Sequence, residues 1–422
     1  MGSVAEKARF YLERAAPQLR EFEEKEIFNK DEIRSLVTKR SDFEHLVLSP
    51  GTKPSDFLSY VQWERSMDRL RAKRCKRLKI RGSNPRPSEA RVFGIFERAV
   101  MKHPGCIPLW IAYLDFAAEI KATKRWRRVI TKAIRMHPRS AVLWTMAGRN
   151  AAVHGDMERA RAYFLRGCRF CTGEVSLWVE YARCEMEWLA RIEAKKGGKG
   201  VRRGVNPIEA IKATEGTEIE GDHIALDDSD EDDELDGDEL ILPDPDAGEK
   251  KKKPVFDAEA TRKLEQSPAL SGAIPMAIFD IAKKQPFYAA VACEAFFDMF
   301  ATFGHVSCQS KITQHVLSAM EESFPKSACT ASCFIRQPLI GVDINTPEFP
   351  KALRESLARL RKAYAEQTEE KKALAGKIVD WASKILEIES LDPAIRTVLE
   401  ATKKGLEATK KGLEGELGQE KA

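Results

Sequence analysis

A 34-residue repeat is the feature that most limits what this chain can fold into. The segment "HPGCIPLW" (103–110) is followed 34 residues later by "HPRSAVLW" (137–144), and the Leu-Trp pair returns after the same interval in "CTGEVSLW" (171–178). Repeats of this length are typical of stacked helical hairpins, because one hairpin cannot bury its own apolar face. The repeat therefore predicts an all-α solenoid.

Each copy of the repeat predicts two helices. In the first helix, Trp110, Tyr113 and Ala117 fall on one face at a period of 3.6 residues. The second helix stops before a proline such as Pro138, which cannot continue it, and Asp156 is a candidate N-cap. The residues that we expect to form the repeat core are Trp63, Phe96, Ala99, Leu109, Trp110, Tyr113, Ala133, Leu143, Trp144, Phe164, Leu177, Trp178 and Tyr181.

The sequence contains no recognised catalytic, cofactor-binding or metal-binding motif. It has no Walker loop, nucleophile elbow, H-E-x-x-H motif or dinucleotide fingerprint. Cys168 and Cys171 form a C-x-x-C without a second ligand pair, so we interpret them, like Cys329 and Cys333, as packing residues. We therefore predict that the chain is not an enzyme and holds neither a cofactor nor a metal ion.

Composition indicates an intracellular chain. No apolar run approaches the roughly 20 residues that a membrane span needs, and the charged N-terminus is not a secretory signal. The nine scattered cysteines are typical of reduced thiols in the cytosol or nucleus. We expect no membrane contact and no small-molecule substrate.

Basic residues are concentrated in the first half of the chain. Residues 1–210 carry 43 Lys and Arg against 25 Asp and Glu, a net +18, whereas the remainder carries 27 against 40, a net −13. Residues 69–81 and 121–139 each hold eight basic residues and no acid. Such surfaces attract phosphate backbones, although a solvated helix face or docking to an acidic protein fits equally well. The candidate contacts to RNA or to an acidic partner are Arg69, Arg71, Lys73, Arg74, Lys76, Arg77, Lys79, Arg81, Arg125, Arg127 and Arg128.

An acidic segment interrupts the helical pattern. Residues 215–247 contain sixteen acidic and no basic residues, a composition that predicts disorder. The segment could be a solubilising insertion, a competitor of RNA for basic surfaces, or a regulated region with Ser229 as a candidate phosphorylation site. The predicted domains are 1–85, an N-terminal helical domain with a basic helix; 86–194, helical repeats; 195–256, a basic and acidic linker; 257–413, degenerate repeats; and 414–422, a tail.

Helical patterns resume after the acidic segment, with a less regular period. "IVDWASKILEIESLDPAIRTVLEATKKGLE" (378–407) predicts a late hairpin, with Trp381 in its first helix and Pro393 opening its second. "CFIRQPLIGVDINTPEFP" (333–350) is interpreted as a loop. The remaining candidate feature is an apolar strip for a partner, formed by Phe296, Phe297, Phe300 and Phe303.

Two resemblances extend this interpretation. The pattern "RVFGIFERAVMKHP" resembles the second helix of a HAT (half-a-TPR) repeat, which implies a right-handed α-solenoid in an RNA-processing assembly. The segments 11–48, 53–64 and 70–82 resemble the N-terminal domain of the U3 small nucleolar RNA-associated protein 6 family, and the resemblance covers about the first 190 residues.

The family resemblance implies a function and a location. It implies a non-catalytic scaffold subunit of the UtpB subcomplex of the small-subunit processome, which supports pre-18S rRNA processing and ribosome assembly in the nucleolus. The implied partners are other UtpB and processome proteins, including β-propeller subunits, and pre-rRNA or U3 snoRNA. Two alternatives stay open: a TPR-like peptide-binding adaptor with Arg98, Lys132 and Arg166 along its groove, and a solenoid that binds RNA directly through its basic clusters.

Overall fold

The protein is all-α, as predicted. A computed structural model describes residues 4–80, 85–198, 272–366, 370–388 and 391–419, and these residues form α-helices, one short 3₁₀ helix and no strand. No helix in these ranges is long and apolar enough to cross a membrane. The described residues fall into two compact units, the first through Pro138 and the second from Arg139 onward. The five-part domain division stays a prediction.

The described part of the first unit consists of seven helices. Within it, helices pack mainly on their neighbours in sequence, as in a helical solenoid. The helices are α1 (Val4–Glu13), α2 (Ala16–Glu24), α3 (Lys30–Leu48), α4 (Pro54–Leu78), α5 (Arg86–Lys102), α6 (Ile107–Glu119) and α7 (Thr123–Met136).

The second unit continues with ten described helices, most of which pack on one or both of the next two along the chain. They are α8 (Ala141–Val153), α9 (Met157–Phe170), α10 (Val175–Gly198), α11 (Ala273–Ala282), α12 (Ala290–Ala301), α13 (Gln309–Ser323), α14 (Ala328–Arg336), α15 (Phe349–Glu366), α16 (Lys371–Leu386) and α17 (Pro393–Gln419). Trp381 lies in α16 and Pro393 opens α17, at the positions that the sequence pattern indicated.

Equivalent repeat positions make the same contact in both units. Phe96 of α5 stacks on Tyr113 of α6 with ring centroids 5.2 Å apart. Two periods later, Phe164 of α9 stacks on Tyr181 of α10 at 5.1 Å. All thirteen predicted core residues except Trp63 are buried, and Trp63 is only partly buried. The positions that recur every 34 residues are therefore positions at which the helices pack against one another.

The column of small residues has a steric reason. Ala99 and Ala133 have no exposed surface, and a Cβ placed on Gly167 would lie 2.8 Å from Cγ of Trp144, closer than real Cβ contacts. A larger residue at Gly167 would displace the indole, and the well-packed interior leaves little room for that shift. The buried tryptophan thus requires its small neighbour.

The helix ends follow the sequence signals. The second helices of the first two copies, α5 and α7, stop at Lys102 and Met136, two residues before Pro104 and Pro138. Asp156 is an N-cap, since its Oδ1 accepts a hydrogen bond of 2.9 Å from the backbone N–H of Arg159.

The structure corrects two interpretations in the second unit. The segment 333–350 is only partly a loop: residues 333–336 end α14, Gln337–Leu339 form the 3₁₀ helix, and α15 begins at Phe349. The strip of Phe296, Phe297, Phe300 and Phe303 is buried within its own unit, at 9% exposure or less. It is core rather than an apolar end that awaits a partner.

Candidate nucleic-acid interface

Helix α4 carries the first basic cluster and is fixed at its N-terminal end by local sequence. Pro54 occupies the first turn, and the backbone N–H of Lys53 donates a hydrogen bond of 2.8 Å to Oδ2 of Asp56. The inward face of this half buries Phe57, Tyr60 and Glu64. The C-terminal half of α4 carries the cations.

Buried ion pairs join α4 to α3 and α5. Arg40 of α3 donates two hydrogen bonds, of 2.7 and 3.0 Å, to Glu64, and the side chains of both residues are at most 3% exposed. Arg91 of α5 lies 3.5 Å from the same carboxylate. Bidentate pairs of this kind fix the orientation of both side chains. The position of α4 along its own axis therefore depends on these ion pairs as well as on apolar packing.

A second buried carboxylate, Glu44 of α3, completes this network. It accepts hydrogen bonds of 2.6 and 3.0 Å from Arg98 of α5 and one of 2.9 Å from the Tyr60 hydroxyl. Burial, followed by the nearby Glu64 and Glu44 carboxylates, raises the pKa of Tyr60 far above its ordinary value. Tyr60 thus remains a neutral hydrogen-bond donor at any physiological pH.

Two of the predicted contact residues on α4 are used inside the fold. Arg71 is buried and donates a hydrogen bond of 2.8 Å to Oδ1 of Asp68. Arg74 donates bonds of 2.6 and 2.7 Å to Glu32 and one of 3.0 Å to the backbone carbonyl of Ile27. Hydrogen bonding from Arg74 lowers the pKa of Glu32 to about 2. Arg71 and Arg74 are therefore structural residues, which corrects their assignment to a binding surface.

The other cations of α4 form one exposed row. Arg69, Lys73, Lys76 and Arg77 are exposed, and they have no ion pair with any residue of the described ranges. At 100° per residue their Cα atoms fall within an arc of about 100° on the helix. We call these four residues the basic stripe. Lys79 is exposed just beyond them in a left-handed conformation (φ 56°), and Arg81 lies outside the described residues.

An apolar groove lies between α3 and α4, and sequence reasoning missed it. Its volume is about 290 Å³, and it is lined by Lys39, Asp42, Phe43, Leu46 and Trp63. The Phe43 ring stacks on Tyr60 with centroids 5.0 Å apart and lies 5.5 Å from the Trp63 ring. Trp63 was expected in the repeat core, but it lines this α3–α4 groove, six residues before the basic stripe. Trp63 lies outside the 34-residue register of Trp110, Trp144 and Trp178, and this departure is the signal that could have found it.

In the second basic cluster, on α7, several cations contact other groups of the protein. Arg125 donates a hydrogen bond of 3.2 Å to Glu97, and its guanidinium carbon lies 4.5 Å from the centroid of the Phe93 ring. Arg128 also interacts with other groups of the chain, whereas Arg127 is exposed.

The basic residues that recur at one repeat position, Arg98, Lys132 and Arg166, do not form a single binding surface. Arg98 is engaged by Glu44, and its guanidinium carbon lies 3.9 Å from the Tyr11 ring centroid. Lys132 and Arg166 are exposed. Arg98 is therefore unavailable for the peptide groove that the adaptor alternative requires.

The cysteines of the C-x-x-C motif are buried thiols that form no disulfide. Burial raises the pKa of Cys168 well above its ordinary range and that of Cys171 to about 11, which disfavours the thiolate that binds metals or reacts. No cluster of metal-ligating side chains occurs in the described part of the chain. Cys329 and Cys333 are likewise buried on α14. Ser229 and the acidic segment lie outside the described residues.

Comparison with known proteins locates a relationship in the N-terminal part. Residues 12–98, which include α2, α3, α4 and most of α5, match the model of the family described as U3 small nucleolar RNA-associated protein 6. The chain is 34% identical over 196 residues to the U3 small nucleolar RNA-associated protein 6 of Schizosaccharomyces pombe, a match that covers 46% of this chain and 40% of that protein.

More distant relatives agree. The human U3 small nucleolar RNA-associated protein 6 homolog is 28% identical over 189 residues, which is 44% of this chain and 32% of the relative. The Dictyostelium discoideum homolog is 28% identical over 166 residues, or 39% and 27% of the two chains. The matched part is thus less than half of each of these relatives. Over its N-terminal residues the chain is similar to members of the U3 small nucleolar RNA-associated protein 6 family, as the sequence resemblance indicated.

Proposed function

We propose that this chain is a non-catalytic scaffold subunit of a U3 small nucleolar ribonucleoprotein assembly that supports pre-rRNA processing. The observation that carries the proposal is the similarity to U3 small nucleolar RNA-associated protein 6 over 196 residues. Stacked helical hairpins supply long surfaces for docking other proteins, a common use of solenoids.

The finer assignment is part of the same proposal. In our proposal the assembly is the small-subunit processome, the subcomplex is UtpB, and the chain acts in the nucleolus during pre-18S rRNA maturation. Its direct partners are processome proteins, including β-propeller subunits. Direct contact with pre-rRNA or U3 snoRNA is a separate proposal.

The adaptor alternative has less support. A TPR-like clamp grips a carboxylate terminus with free cations on one surface, but Arg98 already donates two hydrogen bonds to buried Glu44. Freeing Arg98 would leave the buried Glu44 carboxylate without its counter-ion, which is costly. The scaffold proposal requires no such rearrangement.

Affinity purification of the tagged full chain from nuclear extract, with and without RNase, tests the scaffold proposal. Mass spectrometry identifies the co-purifying proteins, and extract from untagged cells is the control. We expect a fixed set of nucleolar processome subunits that survives RNase. Recovery of chaperones alone, or loss of every partner after RNase treatment, would contradict a protein-docked scaffold.

A further inference from the structure

We propose that α4 binds single-stranded RNA, with phosphates on the basic stripe and an unstacked base in the α3–α4 groove. The proposal adds an RNA contact to the scaffold function and does not depend on it. It rests on the geometry of one helix: the stripe and one groove wall, Trp63, belong to the same continuous α4.

The phosphate contacts follow from the fact that some cations of α4 pair with acidic residues of the fold and others do not. Arg71 and Arg74 are neutralised by Asp68 and Glu32, whereas the stripe cations have no acid partner among the described residues. Four like charges on one helix face repel one another and gain energy when a polyanion replaces their counterions. The fold satisfies the cations that it uses and leaves the stripe to an external anion.

The base contact follows from the walls of the groove. Phe43 is held flat against buried Tyr60, so its position is fixed before a ligand arrives. Trp63 lies beside Phe43, with ring centroids 5.5 Å apart, and Leu46, which is 43% exposed, lines the same groove. Unstacked bases are recognised by insertion against aromatic side chains of this kind.

The direction of α4 relates the two parts of the surface. Trp63 precedes Lys73 by ten residues, which corresponds to about 15 Å along a helix. At 100° per residue, Trp63 lies about 40° from Arg77 and about 80° from Lys73 around the axis, and farther from Arg69 and Lys76. A strand with one base in the groove can therefore run along the stripe, with its backbone against the cations.

Charge favours RNA over an apolar peptide as the occupant. The groove alone would suit an apolar side chain of a protein, but the adjoining stripe contains no acid and only an anionic ligand would use it. A duplex would fit this surface less well than a single strand, because its phosphates could contact the stripe but its paired bases could not enter the groove. The combination fits single-stranded RNA, and the experiments below distinguish it from an acidic protein segment.

Fluorescence anisotropy of the purified full chain with a labelled single-stranded RNA of about 16 nucleotides tests the phosphate contacts. With four contacts, log affinity should fall against log salt with a slope of about −2.8. Lys73→Gln with Arg77→Gln should halve that slope and weaken binding about tenfold or more near 0.1 M salt. The matched control, Lys351→Gln with Arg354→Gln on exposed positions of α15, removes the same two residue types and should change neither quantity.

Two further variants test the groove. Trp63→Leu should weaken binding by about 5- to 100-fold without changing the salt slope, because a stacking contact releases no counterion. Since Trp63 also packs on an apolar cluster, Leu46→Glu at the exposed rim provides a second variant, expected to weaken binding at least about fivefold. Its control is Val291→Glu, at a residue 68% exposed in the second unit.

The outcomes separate the proposals. Loss of affinity in both the stripe and groove variants, with unchanged controls and weaker binding of an RNA duplex, supports the RNA site. Equal losses in the controls, or no binding by the parent chain at low salt, would overturn it. If the stripe variant binds RNA normally but loses proteins in the affinity purification, the surface docks a protein, so RNA binding is overturned while the scaffold function stands.

Discussion

The two basic clusters look alike in sequence but differ in how the fold uses them. Each has eight cations and no acid. On α4, the neutralised cations and the stripe are separated around the helix, and buried ion pairs hold the helix in place. On α7, an apolar row that includes Trp126 and Ile130 holds the helix. A basic segment of the sequence can therefore be judged as a binding site only when the acidic residues that pair with its cations inside the fold are known.

The largest expected effect concerns the buried charges that anchor α4. Glu64→Gln preserves size but leaves buried Arg40 without its counter-ion, so we expect a loss of about 3–5 kcal/mol in the free energy of unfolding. Urea unfolding of the full chain measures the loss. Glu13→Gln, which removes an exposed partner of Arg9, is the control and should cost below about 1 kcal/mol. Equal costs would mean that ion pairs do not anchor α4.

The apolar anchorage of α7 gives the next largest effect. Ile130 has no exposed surface, and Ile130→Ala should cost about 2–5 kcal/mol because it removes buried methyl groups and leaves a cavity. Met136→Ala on the same helix, at a residue 53% exposed, should cost far less. The same urea experiment compares the two. A negligible cost for Ile130→Ala would contradict the contrast between α7 and α4.

The Glu32–Arg74 pair predicts a smaller effect that depends on pH. The pKa of Glu32 lies at about 2 in the folded chain against an ordinary 4.5. Its stabilisation is therefore complete above about pH 4.5 and is lost as the pH falls toward 2. Because Glu32 is 40% exposed, screening limits the contribution to below about 1 kcal/mol.

Thermal melts of the parent chain and of Glu32→Gln across this pH range check that window. The two melting temperatures should differ at pH 7 and converge toward pH 2. A difference that grows on acidification would have the wrong sign and would contradict the ion pair.

The repeat core could be predicted from sequence because its information is local and periodic. A residue such as Trp144 recurs at a fixed interval and on a fixed helix face, so its burial follows from spacing. The pairing of Arg74 with Glu32, 42 residues away, has no period and depends on how α3 meets α4. The α3–α4 groove likewise could not be predicted from the repeat. Nor could the burial of Phe296, Phe297, Phe300 and Phe303, because the helices that cover them are not periodic in sequence.

The smallest effect tests whether α7 shares in RNA binding. Lys124→Gln with Lys132→Gln removes two exposed cations of α7, the same charge as the stripe variant. Cations that do not touch the bound strand act only through a field screened within about 10 Å at 0.1 M salt. We expect affinity for single-stranded RNA to fall by about twofold or less, with an unchanged salt slope, in the anisotropy assay. A halved slope would show that α7 contacts phosphates directly, so the two clusters would be equivalent after all and the separation of paired and unpaired cations on α4 would lose its meaning.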